Sequence, residues 1–237
     1  MRDRYASSSI SPLDQFRAHA ILQQHGSVYW ANDAEKLLGG LDPSQSLVSQ
    51  LSGAFSTLKA PIRQDSSTTE DCRRVEQAFG GPQALADCTG SRAYERFTGN
   101  QISRVCSFFL SLPSFLCAHV HGRTVQIKRL FPEIYNATSR ISLVSSFIPS
   151  LFLGHFAPIE LSDASGMNLM DVLTGMWNDK LLQLYGGPSL REKLGPEPVE
   201  GGVSLGSVSS WWVQRWGFNP GQLQIDTICA YDELIEA

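Results

Sequence analysis

The sequence predicts an α/β fold, on three observations. Segments with helical apolar spacing alternate along the chain with short runs rich in β-branched and aromatic residues. Glycine and proline punctuate most of the boundaries between them. The chain has 237 residues, 42% hydrophobic and 18% charged. That is enough apolar material for a sizeable core and too much for a disordered chain.

Each element has its own signal. His25 to Trp30 carries Val28, Tyr29 and Trp30 in a short run and reads as a strand. Leu47 to Phe55 reads as helical. Ser67 stands three residues before Glu70, the spacing of a capping box, and Cys72, Val75, Ala78 and Phe79 follow at helical intervals. Gly80-Gly81 stops that helix, and Pro82 opens a second one that runs to Cys88. Arg140 to Phe147 begins as a buried strand, and Pro149 opens a helix to Leu153. Asp171 to Tyr185 places Val172, Leu173, Met176, Leu181, Leu182 and Tyr185 along one helix, ended by Gly186-Gly187-Pro188. Glu197 to Gly206 is a connector. Val208 to Trp216 reads as an amphipathic helix closed by Gly217. No internal repeat is present.

Charge and cysteine content exclude several classes. Nineteen Lys and Arg against 23 Asp and Glu give a net charge of −4, so no basic field is available for a phosphate backbone and a nucleic-acid partner is not expected. The five cysteines are Cys72, Cys88, Cys106, Cys117 and Cys229, an odd, widely spaced set with no Cys-x-x-Cys pair. Reduced thiols are the expectation, with no secretory leader in Met1 to Ser11 and no cysteine-based zinc or thioredoxin-type site. Val105 to Val120 is apolar but short, with Pro113 at its middle, and is expected to be a buried or inserted segment rather than a membrane span.

No phosphate loop of the Gly-x4-Gly-Lys-Ser/Thr type, no Gly-x-Gly-x-x-Gly, no His-Glu-x-x-His and no Gly-x-Ser-x-Gly occurs. His119-x-His121 is a close histidine pair without a carboxylate nearby in sequence, and no metal site is expected there. Two polar clusters remain. Gln23-Gln24-His25-Gly26 groups side chains that donate and accept, which suits either a polyol or the capping of a strand. Gly90 to Gln101 (GSRAYERFTGNQ) gathers Arg92, Tyr94, Glu95, Arg96 and Asn100 in a turn-like segment. Arginine offers a rigid fork of donors, so this segment is either a ligand loop or a surface salt-bridge loop.

Six segments then carry a resemblance: QQHGSVYW at 23–30, DSSTT at 65–69, GSRAYERFTGNQ at 90–101, RISLVSSF at 140–147, DASGMNLMD at 163–171 and VQRWGF at 213–218. In this order they closely resemble the FGGY carbohydrate kinases, in their eukaryotic xylulose kinase branch. The resemblance implies an actin-like (ribonuclease H-like) fold of two lobes. Residues 23–221 would form part of the N-terminal, sugar-binding lobe, between a divergent N-terminus at 1–22 and a divergent tail at 222–237. It implies ATP- and Mg²⁺-dependent transfer of a phosphoryl group to the 5-hydroxyl of D-xylulose. It also implies a cytoplasmic enzyme with a small sugar as partner and no membrane partner. By position, His25 and Arg96 match substrate-binding residues of the family, and Gln24 and Asp65 stand in the same matching segments.

The departures are equally specific. Met1 to Leu22 does not resemble the family's phosphate-binding strand and turn. Arg63 stands where the family usually has tryptophan before the Asp-Ser-Ser-Thr-Thr segment. Residues from about 103 to 126 look like an insertion. After Gly217-Phe-Asn-Pro-Gly221 the family continues to a Gly-Asp-Asn whose aspartate is the catalytic base. That motif is not found here, no catalytic residue is assigned, and no ATP-binding second lobe is recognised. The expectation is a chain that is inactive by itself, or alternatively a non-catalytic sugar-binding or interaction fragment.

Overall fold

A computed structural model describes residues 26–58, 68–106, 131–219 and 224–226. Gln24, His25, Asp65, the His119-x-His121 pair and the apolar run from Ser107 onward lie outside these residues. Among the described residues no helix is long and apolar enough to cross a membrane.

Strand β1 (Ser27–Ala31) pairs antiparallel with β2 (Thr138–Leu143), with Tyr29 opposite Ile141 and Trp30 opposite Arg140. The run Val28-Tyr29-Trp30 lacks an outward polar position because both faces of β1 are covered. Tyr29 enters one core with Val75, Leu85, Ile102, Ile141, Leu143, Leu181 and Tyr185. Trp30, on the other face, enters a second core with Ala34, Leu38, Leu51 and Ala54. There its indole ring stands 5.2–5.4 Å from the rings of Phe55, Phe147 and Phe156, and its Nε1–H donates to Ser142 Oγ at 2.9 Å. A buried indole N–H needs that partner.

The helices surround this pair. Helix α1 (Ala34–Gly39) and α2 (Leu47–Gln50) close the Trp30 core, and a 3₁₀ turn (Leu51–Gly53) continues α2. Ser46 caps α2 by accepting from the Ser49 N–H at 3.3 Å. Helix α3 (Thr69–Phe79) buries Cys72 and Val75 as its period predicts, and α4 (Pro82–Thr89) follows directly with proline in its first turn. The cap position of α3 falls at Thr68, one residue after the predicted Ser67. Helices α5 (Thr98–Cys106) and α6 (Phe131–Asn136) lead to β2.

Two predicted elements differ from those observed. After β2 the chain turns at once into helix α7 (Val144–Leu153), so Pro149 sits inside the helix rather than opening it. Ser146 Oγ, accepting the Leu143 N–H at 3.1 Å, anchors the earlier start. Around the proline, Ser150 Oγ donates to the Ser146 carbonyl at 2.6 Å and accepts the Ala157 N–H at 2.9 Å. These bonds brace the helix beside the proline. The second difference is Asp171 to Tyr185, which is not one helix. Helix α8 (Leu161–Ser165) leads to a hairpin of β3 (Met170–Asp171) and β4 (Met176–Trp177), and only α9 (Asp179–Gly186) is helical. Asp171 Oδ1 accepts the Leu173 N–H at 2.9 Å and Gly175 takes φ +69°. Those two features favour a turn over a helix, and Leu173 is 87% exposed as a result. Asn178 Oδ1 then caps α9 by accepting the Leu181 N–H at 3.1 Å.

Helix α10 (Leu190–Leu194) packs on β2, and its C-terminus is tied to the hairpin by Glu197, whose Oε2 accepts the Trp177 N–H at 2.7 Å. The end of the predicted connector overlaps β5 (Ser204–Ser207), paired antiparallel with β6 (Gln224–Asp226). Helix α11 (Ser210–Trp216) ends at Gly217, as predicted.

Candidate functional site

Of the four predicted sugar contacts, the described residues contain Arg96. It lies in the turn between α4 and α5. This turn is held in place by buried polar side chains rather than by its own surface. At its start, Asn168 adopts φ +63° and donates from Nδ2 to Thr89 Oγ1 at 2.7 Å, while its Oδ1 accepts from the Tyr185 hydroxyl at 2.9 Å. Burial pushes the Tyr185 hydroxyl pKa upward, so it stays protonated and donating. At its end, the Gly99 N–H donates to the Met167 carbonyl at 2.9 Å. A Cβ on Gly99 would lie 2.8 Å from that same carbonyl, so only glycine permits the approach.

Between these anchors the loop treats its two arginines differently. Arg92 donates from Nε to Glu76 Oε1 at 3.1 Å and from a terminal nitrogen to Glu76 Oε2 at 3.3 Å. Hydrogen bonding to Glu76, and its charge, hold the Arg92 guanidinium above the ordinary arginine pKa. Arg92 thus fulfils the salt-bridge reading of the loop. Arg96 does not. Among the described residues no carboxylate lies within ion-pair distance of it, and its recorded contact is with the Tyr94 ring, 5.4 Å from the ring centroid. Among the described residues, then, the donor fork of Arg96 has no acid partner and can meet an oxygen-rich ligand.

The acid beside Arg96 is engaged elsewhere. Glu95 Oε1 accepts from Thr69 Oγ1 at 3.1 Å, and the Glu95 carbonyl accepts from Thr68 Oγ1 at 2.9 Å. These bonds join the segment after Asp65 to the loop that bears Arg96. Sequence reasoning missed Thr68 and Thr69, because their role depends on a partner 26 or 27 residues away. The only signal was their membership of the DSSTT segment. Among the described residues no three His, Cys, Asp or Glu side chains converge on a point that could hold a metal ion.

Comparison with known proteins agrees with this architecture. No family model matches the chain. The chain is 48% identical over 201 residues to a protein named probable D-xylulose kinase A of Aspergillus flavus, covering 83% of this chain and 31% of that protein. It is 48% identical over 202 residues to D-xylulose kinase A of Aspergillus niger, covering 84% of this chain and 32% of that one. A stretch of that length necessarily includes the loop with Arg96. Among solved structures, a xylulose kinase from Rhodospirillum rubrum superposes with a TM-score of 0.58 at 15% identity, over 86% of this chain and 32% of that one. A gluconate kinase from Lactobacillus acidophilus superposes with a TM-score of 0.57 at 11% identity, over 87% and 32%. The fold is that of FGGY sugar kinases, actin-like, and the chain spans about one third of the length of the relatives it matches. Over 83% of its length, then, the chain is similar to roughly a third of a D-xylulose kinase, and it shares the fold of the sugar kinases.

Proposed function

We propose that this chain supplies the sugar-binding side of a kinase that phosphorylates D-xylulose at its 5-hydroxyl. The observation that carries this is the 48% identity to D-xylulose kinase A over 83% of the chain. The open guanidinium of Arg96 supports it, because a pentulose offers the hydroxyl and carbonyl oxygens that guanidinium donors need. His25 and Arg96, with Gln24 and Asp65, are assigned to hold the sugar.

Mg²⁺ and ATP would supply the transferable phosphoryl group. A nucleotide-bound Mg²⁺ takes one or two carboxylates beside the phosphate oxygens, and no residue of this chain is assigned to hold it. The role left to these residues is to bind the sugar, orient its terminal hydroxyl and exclude water. Phosphoryl transfer depends mostly on positioning and electrostatics, and holding two reactants in register can supply roughly 7–11 kcal/mol of the barrier. A polypeptide that holds one reactant forgoes that gain. These 237 residues, assayed by themselves, are expected to bind the sugar without turning it over.

Two measurements test this. Calorimetry with D-xylulose should give saturable binding in the millimolar range or tighter, weakened at least about tenfold by Arg96→Ala and by His25→Ala, as expected for losing charge-assisted hydrogen bonds. Absence of saturable binding overturns the sugar site. ADP release in the presence of ATP, Mg²⁺ and D-xylulose should stay at background. Turnover at ordinary kinase rates, about 1–100 s⁻¹, overturns the assignment to the sugar side alone.

A further inference from the structure

We propose that Thr68, Thr69 and Asn100 are positioning residues that aim Arg96 and keep its donors open, an inference that rests on the sugar site proposed above. Arg96 is exposed, yet the peptide units on its N-terminal side are fixed by buried groups. The Tyr94 carbonyl accepts from Asn100 Nδ2 at 3.0 Å and from the Phe97 N–H at 2.9 Å. The next carbonyl, that of Glu95, accepts from Thr68 Oγ1 at 2.9 Å. Thr68 is 1% exposed and Asn100 is fully buried. At that depth the Thr68 hydroxyl and the Asn100 Nδ2 group find these carbonyls rather than water, so the backbone they grip is held in one arrangement.

The side chains complete the device. The Tyr94 ring meets Phe97 edge-on, with centroids 5.7 Å apart, and so presents its face at a fixed angle. Arg96 lies over that face at 5.4 Å. Glu95, the neighbouring acid, would quench Arg96 if its carboxylate swung across the turn. Thr69 Oγ1, bound to Glu95 Oε1 at 3.1 Å, draws it toward α3 instead. Arg92, four positions earlier, is given an acid in Glu76. One loop therefore neutralises one arginine and leaves the other as an open, directed set of donors. Fixing a long side chain before the ligand arrives removes part of the ordering cost of binding.

The two threonines are tested separately in the full 237-residue chain. Thr68→Val keeps the shape and removes the hydroxyl, whereas Thr68→Ser keeps the hydroxyl. Thr68→Val should weaken D-xylulose binding by about 3- to 10-fold, Thr68→Ser should restore it, and Thr68→Val should add nothing in an Arg96→Ala background. Thr69→Val should weaken binding similarly by releasing Glu95. A second readout needs no sugar. In the unliganded chain the Arg96 side-chain protons should show an upfield NMR shift from the Tyr94 ring, lost in Thr68→Val and kept in Thr68→Ser. If Arg96→Ala binds sugar as tightly as the parent, the sugar-site reading fails and the ring-shift comparison still decides the positioning. If Arg96→Ala weakens binding while Thr68→Val and Thr69→Val leave affinity and ring shift unchanged, the positioning inference alone is overturned. Equal effects of Thr68→Val with and without Arg96 also overturn it.

Discussion

Replacing Asn168 should lower stability in two separable steps. This side chain is fully buried and sits where α4, the loop before β3 and α9 meet. Asn168→Gly removes its side-chain hydrogen bonds while leaving the backbone free to hold φ +63°. The lost bonds are the short ones to Thr89 and from Tyr185, and two longer ones, each 3.4 Å, from Nδ2 to the Ser91 carbonyl and hydroxyl. Thr89 keeps its own donation to the Leu85 and Ser91 carbonyls. Tyr185 keeps a neighbouring acceptor as well, since its single proton goes to Asn168 and leaves buried Asn100 Oδ1 beside it without a hydrogen bond. The cost of Asn168→Gly therefore falls near the lower end for lost buried bonds, about 1–2 kcal/mol. Asn168→Ala loses the same bonds and also places a Cβ in the left-handed region, for about 1 kcal/mol more. At roughly 2–4 °C per kcal/mol for a domain of this size, Asn168→Gly should lower Tm by about 2–8 °C and Asn168→Ala by a further 2–4 °C. Thermal unfolding followed by fluorescence of buried Trp30 and Trp177 reads the change. A glycine variant that melts with the parent, or an alanine variant more stable than the glycine one, refutes the reasoning.

Three other outcomes follow from the packing. Gly195 has φ +84°, and a Cβ there would lie 1.1 Å from Arg140 Nη1. Gly195→Ala should cost about 2–4 kcal/mol, and shortening Arg140 to alanine in the same chain should recover part of the lost Tm, whereas simple additivity would show that the guanidinium is not the obstacle. Burial pushes the Cys72 thiol from 9.0 up to about 11, so iodoacetamide at neutral pH should modify Cys72 only after unfolding; peptide mapping that finds it labelled in the native chain contradicts its placement. Burial likewise raises Tyr29 from 10.0 to about 12. For both groups the folded state holds its proton more tightly than the unfolded state. Their contribution is complete below pH 9 and is lost as pH rises from about 9 through 12, so denaturant midpoints should decline across that window and not below it.

The elements that were legible in the sequence are those whose signals are local. Helices α3 and α4 were set by apolar spacing, paired glycines and a proline in the first turn, all within 21 residues of one another. The hairpin at β3–β4 was misread as helix because Val172, Leu173 and Met176 mimic a helical stripe. What decides there is a side-chain turn at Asp171 with a left-handed Gly175, a short-range preference that outweighs weak periodicity. The start of α7 was misplaced because proline was given the role that Ser146 and Ser150 fill. Of the candidate site, Arg96 was recognised by resemblance. Its residue type alone could not separate it from Arg92.

By itself the sequence determined the α/β character, enough apolar side chains for a sizeable core, and a resemblance to a kinase family through six short segments in order. Composition and local spacing carry that information because helix, turn and strand preferences act over a few residues. The tertiary structure decided which arginine of the loop has an acid partner among the described residues. Glu76 reaches Arg92 from 16 residues away, Thr68 holds the Glu95 carbonyl from 27 away, and Asn168 grips Thr89 from 79 away. Such contacts depend on how separate helices pack, and no pattern within one segment encodes them.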